Sequence, residues 1–140
     1  MKSVLLADDS RFLRLATERV LVRGGYQVIT AADGEQALGL AKAKLPDLII
    51  LDLLLPKLSG RDVLLELRKH LLTACTPIIV FSSLPQVNEQ KLVAEGATTY
   101  LEKSKLDLEN PCVLLEVVNE IVGSCLSRPI VRARETEGAK

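Results

Sequence analysis

Tryptophan is absent from this chain of 140 residues, and only Phe12, Tyr26, Phe81 and Tyr100 supply aromatic rings. Four scattered rings make no platform on which nucleic-acid bases could stack. Charge of one sign is missing as well, because 18 Lys and Arg balance 18 Asp and Glu. No net field therefore points to nucleic acid or to an anionic membrane. Cysteine is scarce: Cys75, Cys112 and Cys125 lack metal-ligand spacing, and His70 is the single histidine. An odd cysteine count without a secretory signal fits reduced thiols in a cytosol. The N-terminal apolar run stops at Asp8-Asp9, too early for a signal peptide. The longest apolar stretch, Leu48 to Leu55, is broken by Asp52 and falls far short of a membrane span.

What is present is a series of short aliphatic runs, each ending in a polar or charged group. Ser3 to Ala7 leads into Asp8-Asp9, Leu48 to Leu51 into Asp52, Pro77 to Phe81 into Ser82, and Thr98 to Glu102 into Lys103. Leu48 to Leu51 is apolar on both faces, as a central parallel strand must be. Between the runs the apolar period changes to that of a helix. The first helix is expected over about Arg11 to Arg23, with Ser10 as N-cap and Gly24-Gly25 as its stop. Its inward stripe reads as Phe12, Leu15, Ala16 and Val20, with the stem of Arg19. A second strand falls at about Gln27 to Ala31. Asp33-Gly34 then turns into a helix over about Glu35 to Ala43, with Ala37, Leu38 and Ala41 inward.

The third helix, about Gly60 to His70, turns Val63, Leu64 and Leu67 inward. His70 at its end is a candidate partner for Glu66 and not a catalytic base, since nothing places it at the strand ends. A short polar helix is expected at about Gln86 to Glu95, weakly packed and so a candidate moving part. A fifth helix begins near Pro111 with the stripe Val113, Leu114, Val117, Val118, Ile121 and Val122. Five strands alternating with five helices predict one doubly wound α/β domain over residues 1–126, and residues 127–140 read as a tail with little to bury.

In an open parallel sheet, all strand C-termini emerge on one edge, where ligands bind. Three carboxylates, a hydroxyl and an ammonium would meet there. Like charges that close repel unless a cation joins them. Hard divalent cations such as magnesium take carboxylate oxygens. Each residue also has a plainer reading. Asp8 and Asp9 suit a helix N-terminus, Ser82 is an ordinary loop residue, Lys103 would be solvated, and Tyr100 would be strand packing. Asp52 is harder to set aside, because an acid ending an apolar central strand costs stability unless it is paired or functional.

Taken in order, Ala7-Asp8-Asp9-Ser10, Leu51-Asp52-Leu53-Leu54-Leu55-Pro56, Gly60, Ser82-Ser83 and Tyr100-Leu101-Glu102-Lys103 resemble the receiver domain of two-component response regulators. The resemblance covers about Lys2 to Val122. It implies a flavodoxin-like sheet of strand order 2-1-3-4-5. It implies that Asp52 accepts a phosphoryl group from a histidine kinase or phosphotransfer protein. Asp8, Asp9, Asp52 and the backbone carbonyl of Leu54 would hold Mg2+, and Lys103 and Ser82 would contact the phosphoryl oxygens.

The resemblance further implies that Ser82 and Tyr100 move together as a switch. The face of the fourth helix, fifth strand and fifth helix is where relatives dimerise or dock partners; the downstream target is unknown. Such a protein is no enzyme beyond its own phosphorylation and dephosphorylation. Ser104 follows Lys103 where many relatives have proline, and Lys105 to Asn110 makes a long link. Two other readings compete: a receiver-like adaptor that needs no phosphate, and a small magnesium-dependent phosphohydrolase. The full Asp9, Asp52, Ser82 and Lys103 set argues against the first. Adjacent Asp8-Asp9, in place of Asp-x-Asp, argues against the second.

Overall fold

A computed structural model describes residues 2–82, 94, 96–102 and 112–127. The expected helix at 86–95, Ser83, Lys103, Ser104, the link at 105–110, Pro111 and residues 128–140 lie outside the described residues. Five strands are present: β1 (Ser3–Ala7), β2 (Gln27–Ala31), β3 (Leu48–Leu51), β4 (Ile78–Ser82) and β5 (Thr99–Glu102). Four helices are described: α1 (Arg11–Arg23), α2 (Gly34–Lys44), α3 (Gly60–Lys69) and α4 (Cys112–Ser127), the last being the fifth helix expected from sequence.

All neighbouring strands run parallel, in the order β2-β1-β3-β4-β5. The chain reverses its direction of travel across the sheet between β1 and β3. A crevice forms outside the strand ends at such a reversal.

The strand side chains divide the interior in two. Leu5, Ala7, Ile49, Leu51, Ile78, Val80 and Tyr100 pack with Ala37 and Ala41 of α2 and Val63, Leu64 and Leu67 of α3. Val4, Leu6, Leu48, Ile50, Ile79 and Phe81 pack with Val20 and Leu21 of α1 and Leu114, Val118 and Val122 of α4. Alternation along each strand therefore sends successive side chains to opposite helical layers. Both faces are covered, which explains why β3 is apolar throughout. Burying one such aliphatic side chain contributes about 1.5–3 kcal/mol.

The inward faces of α2 and α3 follow the sequence reading; that of α1 does not. Phe12 is 74% exposed and Leu15 is 42% exposed. The inner stripe is Leu13, Thr17, Val20 and Leu21 instead, with Thr17 and Leu21 fully covered. The threonine interrupts the apolar pattern, so a reading by hydropathy rotates the helix onto its outer face. Thr17 was the displaced member of a regular i, i+4, i+7, i+8 series. A second correction concerns Glu66. It pairs with Lys69 at 3.7 Å, while His70 caps α3 and its Nδ1 accepts from the Leu72 N–H at 3.3 Å.

Candidate functional site

β1 and β3 are adjacent, with Ala7 opposite Leu51. One residue further on, the Asp52 N–H donates to the Ala7 carbonyl at 3.0 Å, and the Asp8 N–H donates to the Ala31 carbonyl at 3.1 Å. The sheet ladder thus carries both aspartates to its carboxyl edge. One oxygen each from Asp8, Asp9 and Asp52 lies within 4.8 Å of the others. Asp8 is fully buried and Asp52 nearly so, whereas Asp9 is exposed.

Local hydrogen bonds aim these side chains. Asp8 Oδ1 accepts from the Ser10 N–H at 3.0 Å. Ser10 in turn caps α1, its Oγ accepting from the Leu13 N–H at 3.4 Å. Asp52 Oδ1 accepts from the Leu54 N–H at 3.1 Å, which folds the chain back just after β3. Leu53 and Leu55 turn toward the core while Leu54 stands 54% exposed beside the acids. The donor set is hard oxygen only, two of its three members are buried, and like charges at this range repel. Such a site fits a hard divalent cation of the magnesium kind and suits no soft metal.

Three features around the site carried no sequence signal. Arg14 Nη1 donates to the backbone carbonyl of Asp8 at 2.7 Å, tying the β1–α1 loop to the second turn of α1. Gly60 opens α3 directly against the site: a Cβ there would lie 2.1 Å from the Asp52 carbonyl oxygen, and its N–H donates to the Leu53 carbonyl at 2.9 Å. The same loop also meets α2. The Gly34 N–H donates to the Pro56 carbonyl at 3.1 Å, and Lys57 Nζ lies 3.7 Å from Asp33 Oδ2. Lys57 holds a left-handed conformation, φ 68°, unusual for a residue with a Cβ. Only the glycines and the Pro56-Lys57 turn could have hinted at this buttress.

Of the other expected site residues, Ser82 closes β4 opposite Glu102. Tyr100 is 1% exposed and belongs to the α2–α3 side of the core. Lys103 lies outside the described residues. Cys75 is exposed and far from this edge in sequence and topology. Among the described residues no helix is long and apolar enough to cross a membrane.

The pattern of the family described as response regulator receiver domain matches residues 4–110. The alkaline phosphatase synthesis transcriptional regulatory protein PhoP of Bacillus subtilis is 40% identical over 103 residues, which are 73% of this chain and 42% of that protein. The chain therefore spans about two fifths of the length of that relative. The chemotaxis response regulator CheY4 of Vibrio cholerae superposes with a TM-score of 0.78 at 33% identity, over 86% of this chain and 98% of that one. A chain from a CheX-CheY-BeF3-Mg+2 complex of Borrelia burgdorferi superposes with a TM-score of 0.77 at 27% identity, over 86% of this chain and 88% of that one.

Proposed function

This chain belongs to the response regulator receiver domain family, and from that premise we propose that it is a magnesium-dependent phosphorylation switch with Asp52 as the acceptor. The observation that carries the reading is the convergence of Asp8, Asp9 and Asp52 at the carboxyl edge of β1 and β3. Asp52 is the member that ends the central strand, and its backbone is held on both sides of the side chain. A carboxylate in that position is a competent nucleophile toward phosphorus. One of its oxygens forms a bond to phosphorus as the bond from phosphorus to the donor's imidazole nitrogen breaks. The nitrogen keeps the electron pair, and Asp52 becomes an aspartyl phosphate.

Asp8, Asp9, Asp52 and the Leu54 carbonyl would hold magnesium, which offsets charge on the transferring phosphoryl group and keeps it in line. The Borrelia relative, solved in a complex named with magnesium and beryllium fluoride, supports this assignment. Lys103 would pair with a phosphoryl oxygen, and Ser82 would hydrogen-bond another. Drawing Ser82 toward the phosphate would shift the end of β4. Tyr100, inward here, would follow that shift through the β4–β5 pairing, in which Val80 faces Tyr100.

Phosphorylation biases an equilibrium by the extra affinity of one state for the phosphate. The readout is the surface of residues 86–95, β5 and α4, which would bind a target protein or a second copy. The upstream partner is a histidine kinase or a phosphotransfer protein. The domain spans 1–126, with 127–140 as a tail.

The test is intact mass after incubation with a small phosphodonor such as acetyl phosphate, with and without magnesium. One added phosphoryl group is expected on the wild type, and none on Asp52→Asn or without magnesium. No addition to the wild type, with no spectral response to beryllofluoride, would leave a receiver-like adaptor that works without phosphate.

A further inference from the structure

Away from the acid cluster, α2 presents a hollow of about 390 Å³ lined by Glu35, Leu38, Gly39 and Lys42, with Lys57 and Leu58 as its far wall. Two details of it have no use within a single copy. Gly39 sits inside the helix, where glycine is unfavourable, yet a Cβ built there meets nothing within 4 Å. No neighbour in the chain demands the missing side chain. Glu35 and Lys42 stand two turns apart on the same face, about 10 Å along the axis. Neither has an ion-pair partner among the described residues, whereas Lys57 is engaged by Asp33.

Along this face the order is acid, leucine, glycine, lysine. Turned end for end, that order is its own complement. With a second α2 laid antiparallel, Glu35 of each copy meets Lys42 of the other, and Leu38 of each lies over Gly39 of the other. A glycine at the crossing lets two helix backbones approach closely, which accounts for its position. We propose that this face of α2 pairs with the same face of a second copy of the chain about a two-fold axis beside Gly39. An isologous contact needs this self-complementarity, and the match of charge and shape selects a copy of this chain over an unrelated partner.

One helix face buries less than the roughly 1,200 Å² of a stable complex, so the pairing is weak and concentration-dependent. It leaves the β5–α4 surface uncovered, so it does not depend on the phosphorylation reading. Through Lys57, Leu58 and Gly34 it rests on the loop that follows Asp52.

The experiment is sedimentation equilibrium of the unphosphorylated full chain up to millimolar concentration, for the wild type, Glu35→Lys, Lys42→Glu, an equimolar mixture of those two, and Gly39→Leu. The wild type is expected to form a reversible dimer. Each charge reversal alone weakens it several-fold, because both junctions become repulsive. The mixture restores it, because both junctions become attractive. Gly39→Leu weakens the dimer while the melting temperature of the monomer does not fall, which separates a lost contact from a lost fold. A wild type monomeric at millimolar concentration, a dimer indifferent to these changes, or a mixture no tighter than its components would each overturn the proposal.

Discussion

Arg14 reaches back along α1 and donates from its guanidinium to the carbonyl oxygen of Asp8 at 2.7 Å. That single bond fixes the strand-to-helix turn that presents two of the three acids. Arg14→Ala is expected to cost about 1–2 kcal/mol of stability, as for a half-buried hydrogen bond to a charged group, and to weaken magnesium binding several-fold. Denaturant unfolding and calorimetric titration measure the two effects. Unchanged magnesium affinity would show that the loop holds its shape without the tie.

Removing one of three crowded carboxylates should change how the fold responds to metal. Magnesium at about 100 times its dissociation constant stabilises a native state by about 2.7 kcal/mol. The wild type should therefore melt higher in magnesium than in chelator. Asp8→Asn should melt at least as high as the wild type in chelator, because repulsion is relieved, and should gain less from magnesium. Equal gains in the two proteins would place the ion elsewhere.

Two glycines should respond in opposite directions. Gly60→Ala forces a methyl group against the Asp52 carbonyl, and overpacking of this kind costs about 1–3 kcal/mol. Phosphorylation should slow with it, since the strained backbone is that of the acceptor. Gly39→Ala has open space and should stabilise by up to about 1 kcal/mol. Thermal unfolding of both variants, with the rate of mass gain for Gly60→Ala, decides the matter.

Arg68 is a second backbone tie, larger than the first. Its Nε donates to the Gly96 carbonyl at 2.8 Å, and its Nη1 serves the carbonyls of Thr73, Ala74 and Thr76, the last at 2.6 Å. Burial lowers its pKa, an effect opposed by nearby Cys75. Arg68→Met keeps the stem and strips the donors. It should cost about 2–4 kcal/mol, since several half-buried carbonyls lose partners at once. Proteolysis near Gly96 should accelerate with it; a rate equal to the wild type would place the carbonyls in contact with water already.

Tyr26 gives the chain an alkaline limit. Burial raises its pKa above the usual tyrosine value, and its hydroxyl donates to Asn119 Oδ1 of α4. Below pH about 10 the ring is neutral in both folded and unfolded chains, so it adds no pH dependence. Above that value the unfolded chain ionises first while the folded one keeps its proton, and stability falls as pH rises. Tyr26→Phe should flatten that slope. The check is denaturant unfolding of both proteins on either side of pH 10.

The sheet was legible because its signals are local. Each aliphatic run stops at a charged or polar residue, and β3, apolar on both faces, could only be central. Asp8, Asp9 and Asp52 were legible for the same reason, since parallel strands end on one edge. The face of α1 was not, because Thr17 is buried through a packing decision made by the strands beneath it. Arg14 and Arg68 were illegible for a deeper reason. Both bond to backbone carbonyls, which every residue owns, so no partner residue marks them. His70 misled through the opposite error: an attractive side-chain partner, Glu66, stood at helical spacing, but the chain left the helix at that residue.

The pairing of Ala7 with Leu51 also governs where the chain tolerates a change of length. The gap between Asp8 and Asp52 is the repeat distance of neighbouring strands, about 4.8 Å, and no side-chain adjustment sets it. Residues inserted between α2 and β3, around the exposed Leu45 and Asp47, would leave that gap untouched. One residue added or removed inside β3 would send Asp52 to the wrong layer and an aliphatic side chain to the edge in its place. Insertions and deletions should therefore be silent in the connections and lethal to the site within four consecutive positions, Leu48–Leu51.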